Sequence, residues 1–318
     1  MKKNSPYEKF VEIIKEKFPE RGRLANVLMD MLLLEKEAIY RRLRGEVPFT
    51  FSEIVTIARN LDISLDNIVG AGSSKDRPFL MRLIDFENPS EIDYQLQEHY
   101  AGMLRVAKKE HDSEVCTATN NIPINLSMAY DYIYRFQRMK WHYQLGKNQK
   151  KFNEIIIPER VMKMNRQSLS DIREIAKTYY IWNDQTIRSL VKDIKYFQNI
   201  RFVTEEEVGL LKEDIFNFID DFEKLALNGG YGNGKDVYIF ISNLNFETSY
   251  TFIQTSEYYL SIIRSFTLND TISLDKAVFD RIKKWMQSLI RTSTLISESN
   301  EVQRILFFDE QRKIADTL

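Results

Sequence analysis

The sequence predicts an α+β chain in two parts. A small all-α domain of about five helices occupies residues 1-70, and a larger, mainly helical domain with a small antiparallel sheet occupies 79-318. Three observations predict this. Apolar residues recur at helical spacing throughout the first 70 residues. A polar run, Gly70-Ala71-Gly72-Ser73-Ser74-Lys75-Asp76-Arg77-Pro78, then offers nothing to bury and reads as a linker over 71-78. Beyond it, helical stretches mix with β-branched and aromatic runs.

The first part reads element by element. Tyr7, Phe10, Val11, Ile14 and Phe18 share one helical face, as do Leu24, Val27, Leu28, Met31 and Leu32. Ile39 and Leu43 line a third helix, Phe51, Ile54, Val55 and Ala58 a fourth, and Leu65, Ile68 and Val69 a short fifth. Each stripe must be buried, so five of them can build one core. Thr50 and Glu53 have the spacing of a capping box, Ser64 is placed to cap the fifth helix, and Gly45 stands where a left-handed residue closes the third.

In the second part, helices are expected over 91–109, 126–145, 168–178, 185–198 and 205–227. Two more are expected around Val278 to Leu289 and over 301–315. Residues 114–119 read as a short strand. Three further runs, 237–242, 248–254 and 258–267, resemble an antiparallel meander.

Composition narrows the class. The 318 residues are 43% hydrophobic and 29% charged, ordinary for a water-exposed globular chain. Neither a membrane span nor a signal peptide is read. The lone Cys116 cannot form an intrachain disulfide, which fits a reducing cytosol, and a cytoplasmic location is expected. A formal net charge of −1 does not advertise nucleic-acid binding, but only a binding face needs to be basic.

That face is sought on the third helix. The residues Glu35-Lys36-Glu37-Ala38-Ile39-Tyr40-Arg41-Arg42-Leu43-Arg44-Gly45, followed by Ala58-Arg59-Asn60-Leu61-Asp62-Ile63-Ser64-Leu65-Asp66-Asn67-Ile68, resemble the lambda-repressor/Cro type of helix-turn-helix domain. The resemblance covers about 45 residues, from Val27 to Gly70. It implies a recognition helix at 35-44 that enters the major groove of double-stranded DNA. Independently of the family, Ile39 and Leu43 supply a buried side, and Lys36, Glu37, Tyr40, Arg41 and Arg44 lie opposite. Arginine and lysine donate to guanine or phosphate, and glutamate accepts from cytosine. Arg44 and the loop through Thr50 are suited to backbone contacts. Two departures stand out: Leu32-Leu33-Leu34 fills the turn where the family has a small residue, and Arg42 stands where an apolar residue is frequent. The alternative is a helix-turn-helix module that docks a partner protein.

The larger domain resembles the C-terminal part of a family of uncharacterised bacterial transcription regulators, through Asn121-Ile122-Pro123, Phe136-Gln137-Arg138-Met139-Lys140-Trp141 and Leu306-Phe307-Phe308-Asp309-Glu310-Gln311. That implies regulation, with the domain serving homodimerisation or sensing a small-molecule effector. Residues 135–166 carry nine Lys/Arg against two acids, and 205–223 carry eight acids against Lys212. The two blocks are expected to face each other or to be solvated, in preference to forming a second phosphate surface. Gly229 to Lys235 matches G-x-x-x-x-G-K, but Asp236 replaces the magnesium-binding hydroxyl and the run follows a helix, so a helix-to-strand connection is expected. His99, His111 and His142 are too scattered for a metal site. Tyr179, Tyr180, Trp182, Tyr196 and Phe197 read as core. No catalytic residues and no cofactor are expected.

Overall fold

Helix α1 (Pro6–Lys17) begins at Ser5, whose hydroxyl accepts the Glu8 N–H at 3.2 Å while the Glu8 carboxylate accepts the Ser5 N–H at 2.7 Å. That reciprocal cap satisfies two donors a helix start leaves open. In this computed structural model, the described residues are 5–18, 21–61, 63, 65–70, 77, 79–146 and 149–318. The chain divides into two compact units, Met1–Pro78 and Phe79–Leu318.

The first unit continues with α2 (Arg21–Leu32), α3 (Lys36–Arg44), α4 (Phe51–Asn60) and α5 (Leu65–Gly70). Phe10, Ile14, Leu24, Leu28, Ile39 and Ile57 pack in one core. The Tyr7 hydroxyl accepts the Phe49 N–H at 2.9 Å, which ties α1 to the loop before α4. The Thr50–Glu53 capping box forms as read, and Gly45 takes the left-handed conformation at φ 80°. The expected Ser64 cap, and the linker reading at 71–76 and 78, lie outside the described residues.

The second unit runs β1 (Leu80–Arg82), α6 (Glu91–Ala107), β2 (Glu114–Thr119), α7 (Ile124–Ser127), α8 (Asp131–Leu145), a 3-10 turn at Phe152–Glu154, α9 (Glu159–Arg173), β3 (Lys177–Asn183), α10 (Thr186–Asn199), α11 (Glu205–Asn228), β4 (Asp236–Ser242), β5 (Tyr250–Gln254), β6 (Tyr259–Phe266), β7 (Asn269–Ser273), α12 (Lys276–Thr292), β8 (Ser293–Leu295) and α13 (Glu301–Asp316). One eight-stranded sheet has the order β1-β7-β6-β5-β2-β3-β4-β8. Strands β2, β3 and β4 are parallel and the other pairings antiparallel. Crossovers through helices join the parallel strands, as parallel pairing requires.

Alternation along the strands divides the side chains between two faces. Tyr180 and Trp182 of β3 join Ile239 of β4 and the helices α8, α10, α11 and α13 in the largest core. Val115 of β2, Ile253 of β5 and Ile262 of β6 pack with Leu104 of α6 and Ile172 of α9. On the opposite face, Cys116, Ala118, Ile181 and Phe252 meet Phe279, Met286 and Leu289.

The fold class is thereby corrected. The chain is α+β around an eight-stranded mixed sheet, not a mainly helical domain with a small antiparallel one. The N-terminal helices are a compact unit of that chain, not clearly a domain apart. The meander expected from three consecutive runs is interrupted: β2 and β3 lie between β4 and β5. The helix expected over 168–178 ends at Arg173, and its tail belongs to β3, where the β-branched and aromatic run Thr178-Tyr179-Tyr180-Ile181-Trp182 suits a pleated, buried strand. The single helix expected over 126–145 is two, α7 and α8.

Candidate nucleic-acid interface

The helix preceding the candidate face, α2, ends at Leu32, and the chain then turns through Leu33, which holds φ 53°. This left-handed conformation is the one a glycine adopts without cost; a leucine there carries about 1–2 kcal/mol of strain. The Leu33 side chain is 89% exposed, so no burial offsets that strain. The chain thus makes this turn with a leucine in the left-handed conformation. The Leu33 N–H donates to the Met29 carbonyl at 2.9 Å and closes α2.

Helix α3 starts after Glu35, whose side chain makes no capping bond. Ile39 and Leu43 are its buried residues. Lys36, Glu37, Arg41 and Arg44 are exposed. Tyr40 is half-buried and packs against the core of the first unit, so its ring sits at the edge of this face and not at its crest. Thr50 is exposed, and its hydroxyl is committed to the start of α4, accepting the Glu53 N–H at 3.3 Å.

Arg42 has a distinct role. Its Nε and Nη2 donate to the two Glu53 carboxylate oxygens at 3.0 and 2.9 Å, and its Nη1 donates to the Ala38 carbonyl at 3.3 Å. A guanidinium fork on a carboxylate fixes the angle between two helices better than a point charge could. Glu53 also accepts the Thr50 N–H at 2.8 Å. Burial pushes the Glu53 carboxyl up, and the bonds from Arg42 and Thr50 outweigh it and hold the group below its ordinary value. Arg42 thus clamps α3 to α4, and Leu43 fills the core.

The exposed cations are largely answered. Arg44 reaches Glu46 at 2.6 Å and Glu37 at 3.0 Å, and Arg41 lies 3.6 Å from Glu46. Hydrogen bonding by Glu46 and then Glu37 raises the Arg44 guanidinium above its ordinary value, and Arg44 in turn lowers the Glu46 carboxyl. Lys36 makes no ion pair among the described residues. Lys36, Arg41 and Arg44 therefore share this surface with Glu35, Glu37 and Glu46 in equal number. Sequence reasoning missed Glu46: it lies past the helix end, where helical spacing assigns no face.

No family model, curated protein or solved structure matches the chain.

The remaining features singled out in the sequence take their places in the second unit. The basic and acidic blocks do not pair with each other in the main. Lys140 pairs with Asp193, and Arg160 pairs with Glu91 and Glu98 at 2.8 Å each. Arg312 holds Asp220 and Glu223 of the acidic block. Just ahead of the basic block, the Asp214 carboxylate accepts the Tyr132 and Ile133 N–H groups at 2.7 and 3.1 Å in the first turn of α8. The glycine run joins α11 to β4: Gly229 closes the helix at φ 61°, and its carbonyl accepts the Val237 N–H at 2.7 Å. Among the described residues no cluster of metal-ligating side chains forms. His142 is buried in α8, Cys116 is buried in β2, and burial pushes the Cys116 thiol up. Tyr180, Trp182 and Phe197 lie in the largest core, as read, whereas Tyr196 is half-exposed. Among the described residues no helix is long and apolar enough to cross a membrane.

Proposed function

We propose that this chain is a cytoplasmic, sequence-specific DNA-binding transcription regulator without enzymatic activity, acting as a homodimer, with α3 as its major-groove helix. The supporting observation is that α3 buries Ile39 and Leu43 while Glu37, Arg41 and Arg44 stay exposed on the opposite side and Lys36 is exposed in the first turn. A recognition helix must divide its surface in that way. The left-handed turn at Leu33 and the left-handed stop at Gly45 frame it at both ends. Lys36 and Glu37, in the first turn, go deepest; Arg41 and Arg44 reach phosphates or base edges, and Thr50 lies at the backbone side. One such helix reads too few base pairs to specify a genomic site, and two-fold repetition supplies the rest. The resemblance to the lambda-repressor/Cro type supports the same reading.

Contact with phosphate requires Arg44 to exchange Glu37 and Glu46 for the DNA. Both carboxylates are solvent-exposed and the pairs are held in water, so the exchange is inexpensive. The test is fluorescence anisotropy on DNA from upstream of the coding sequence, over a series of salt concentrations. Binding falls with salt and is lost in the double variant Arg41→Ala, Arg44→Ala. Unchanged binding in that variant sinks the assigned face.

A second reading has its own observation. The charge-balanced face lies beside Leu33, 89% exposed, and α4 presents Phe51, 77% exposed. An apolar, neutral surface suits a docked protein better than a phosphate backbone. Absence of DNA affinity at low salt, with a stoichiometric protein partner lost on Leu33→Asp, would establish this reading in place of the first.

A further inference from the structure

The second unit encloses a cavity of about 390 Å³ between the sheet and helices α6 and α9. Its floor is a row of side chains crossing five strands: Thr119 (end of β2), Ser249 (just before β5), Arg264 (β6), Asp270 (β7) and Arg82 (β1), all of which line it. The register builds the row. Arg82 pairs with Asp270 and Asp270 with Arg264 across neighbouring strands. The Arg264 N–H donates to the Ser249 carbonyl at 2.9 Å, and the Ser249 and Thr119 hydroxyls lie 3.0 Å apart.

The charges in this row are not matched by one another. Arg82 is 8% exposed, and its Nε has no hydrogen-bond partner; the buried Oδ1 of Asp270 has none either. Neither arginine forms an ion pair among the described residues. Arg264 spends one nitrogen on the Leu268 carbonyl. Burial lowers the Arg264 guanidinium and Asp270 draws it back up, yet an arginine stays charged. Burial, with Asp270, pushes the Tyr100 phenol on the facing helix up to about 12, so it remains a neutral donor. Lys140, at the cavity wall, is paired with Asp193. Asp270 lies between the two arginines and forms an ion pair with neither, and Glu247 also lines the cavity. A guanidinium taken out of water with no hydrogen-bonded anion is costly, so each arginine keeps donors that an anion can answer.

We infer that this cavity binds a small organic acid bearing a hydrogen-bond donor next to its carboxylate, the chemistry shared by α-amino and α-hydroxy acids. Arg82 and Arg264 flank β7, with Cα atoms roughly 9–10 Å apart at two strand spacings, and a carboxylate fits between their forks. The ammonium or hydroxyl of the ligand donates to Asp270 Oδ1. Ile122 and Leu268 lie along the apolar wall that takes the rest of the molecule. A simple anion without a donor would leave Asp270 repelling it, and an amine without a carboxylate would leave both arginines unanswered. The cavity size suits a metabolite and not a polymer. This reading does not rest on DNA binding.

The experiment uses the full chain, with thermal shift and isothermal titration. The probes are alanine, leucine, lactate and malate, with alaninamide and lactamide as analogues lacking the carboxylate, and propionate as the analogue lacking the donor. At least one acid raises the melting temperature with concentration at millimolar levels. The matching amide does not, and propionate binds at least about tenfold more weakly. Arg82→Gln and Arg264→Gln each weaken the acid at least about tenfold. Asp270→Asn weakens the amino acid and strengthens propionate, an inversion that a merely structural aspartate would not give. Amides that bind as tightly as acids, or no shift with any acid at millimolar concentration, would overturn the inference. The wild-type comparison of acid, amide and propionate decides it even if the arginine variants fail to fold.

Discussion

Glu53 is the residue whose removal should cost the first unit most for its degree of burial. It accepts two charge-assisted bonds from Arg42 and one from the Thr50 N–H, and both partners of the ion pair are about 15% exposed. Glu53→Ala loses the fork, worth about 1–2 kcal/mol after discounting for partial exposure. It also loses half of a capping box, worth about 1 kcal/mol. The sum is about 2–3 kcal/mol, set against a typical 5–15 kcal/mol for a whole domain. Glu53→Gln keeps one oxygen, which can accept from Thr50 N–H and Arg42 Nε as Oε2 does, but turns an amide donor toward Arg42 Nη2, and should cost about 1–2 kcal/mol. The three tryptophans, Trp141, Trp182 and Trp285, all lie in the second unit, so their emission is blind to this change. Hydrogen exchange at the Ile54 and Gly45 amides, which close the start of α4 and the end of α3, reads it directly. Opening by 2–3 kcal/mol accelerates exchange about 30- to 160-fold. The carboxyl is held below its ordinary 4.5, so its contribution is complete above that value and is lost as the pH falls through the lower folded-state value. Equal effects of Ala and Gln, or acceleration below about threefold in Glu53→Ala, would refute the argument that this pair clamps α3 to α4.

Other perturbations follow from the same geometry. Leu33→Gly should raise stability by about 0.5–1 kcal/mol in thermal denaturation, because the relief of left-handed strain exceeds the entropy glycine adds to the unfolded chain; a lower melting temperature would mean that the leucine is held by packing. Burial lowers the His142 imidazole below its ordinary 6.5, so the unfolded chain takes up a proton before the native one does and stability falls as the pH drops below that value; His142→Gln should flatten that part of the acid limb. Lys108 pairs with Oδ1 of Asp171, a fully buried carboxylate whose Oδ1 also accepts from Gln167 Nε2 at 3.0 Å and whose Oδ2 has no hydrogen-bond partner, so Lys108→Met should cost about 3–5 kcal/mol in urea denaturation followed by tryptophan emission. If α3 reads DNA, Glu37→Gln with Glu46→Gln frees Arg41 and Arg44, and the salt dependence of binding should steepen by about 0.9 per cation newly placed on phosphate.

The helices of the first unit were legible because each carries its own evidence. Thr50 and Gly45 mark boundaries locally, and the apolar stripes of α1 to α4 are long enough to repeat. The sheet was not legible in the same way. Strand β2 could be located from Glu114 to Thr119, yet nothing within those residues says that the neighbours are Lys177–Asn183 on one side and Tyr250–Gln254 on the other. Sequence order suggested that β4, β5 and β6 were consecutive partners, because hairpins are the usual answer for adjacent strands. Two inserted parallel strands displaced that answer. Strand β3 was hidden by the helix before it: Ile172 and Ile175 extend an apolar pattern that only the sheet interrupts, and both pack beneath the sheet with Val115. The three-residue strands β1 and β8 carry too few side chains to set a period.

The two candidate sites differ in legibility for one physical reason. A helix face is written every three or four residues, so Glu37, Arg41 and Arg44 could be placed together from spacing alone. Which of them remains available to a ligand depends on Glu46, which folds back from beyond the helix end and which no helical period reaches. The cavity row has no local signature whatever. Arg82 and Arg264 are separated by most of the second unit and become neighbours through β7 alone. A charge in such a row is recognisable as unusual only when its surroundings are known, since an arginine in the sequence is an exposed arginine by default. Arg82 Nε and Asp270 Oδ1 are a donor and an acceptor on paired positions, both buried and both unanswered, and a molecule that presents a carboxylate beside a donor answers both at once.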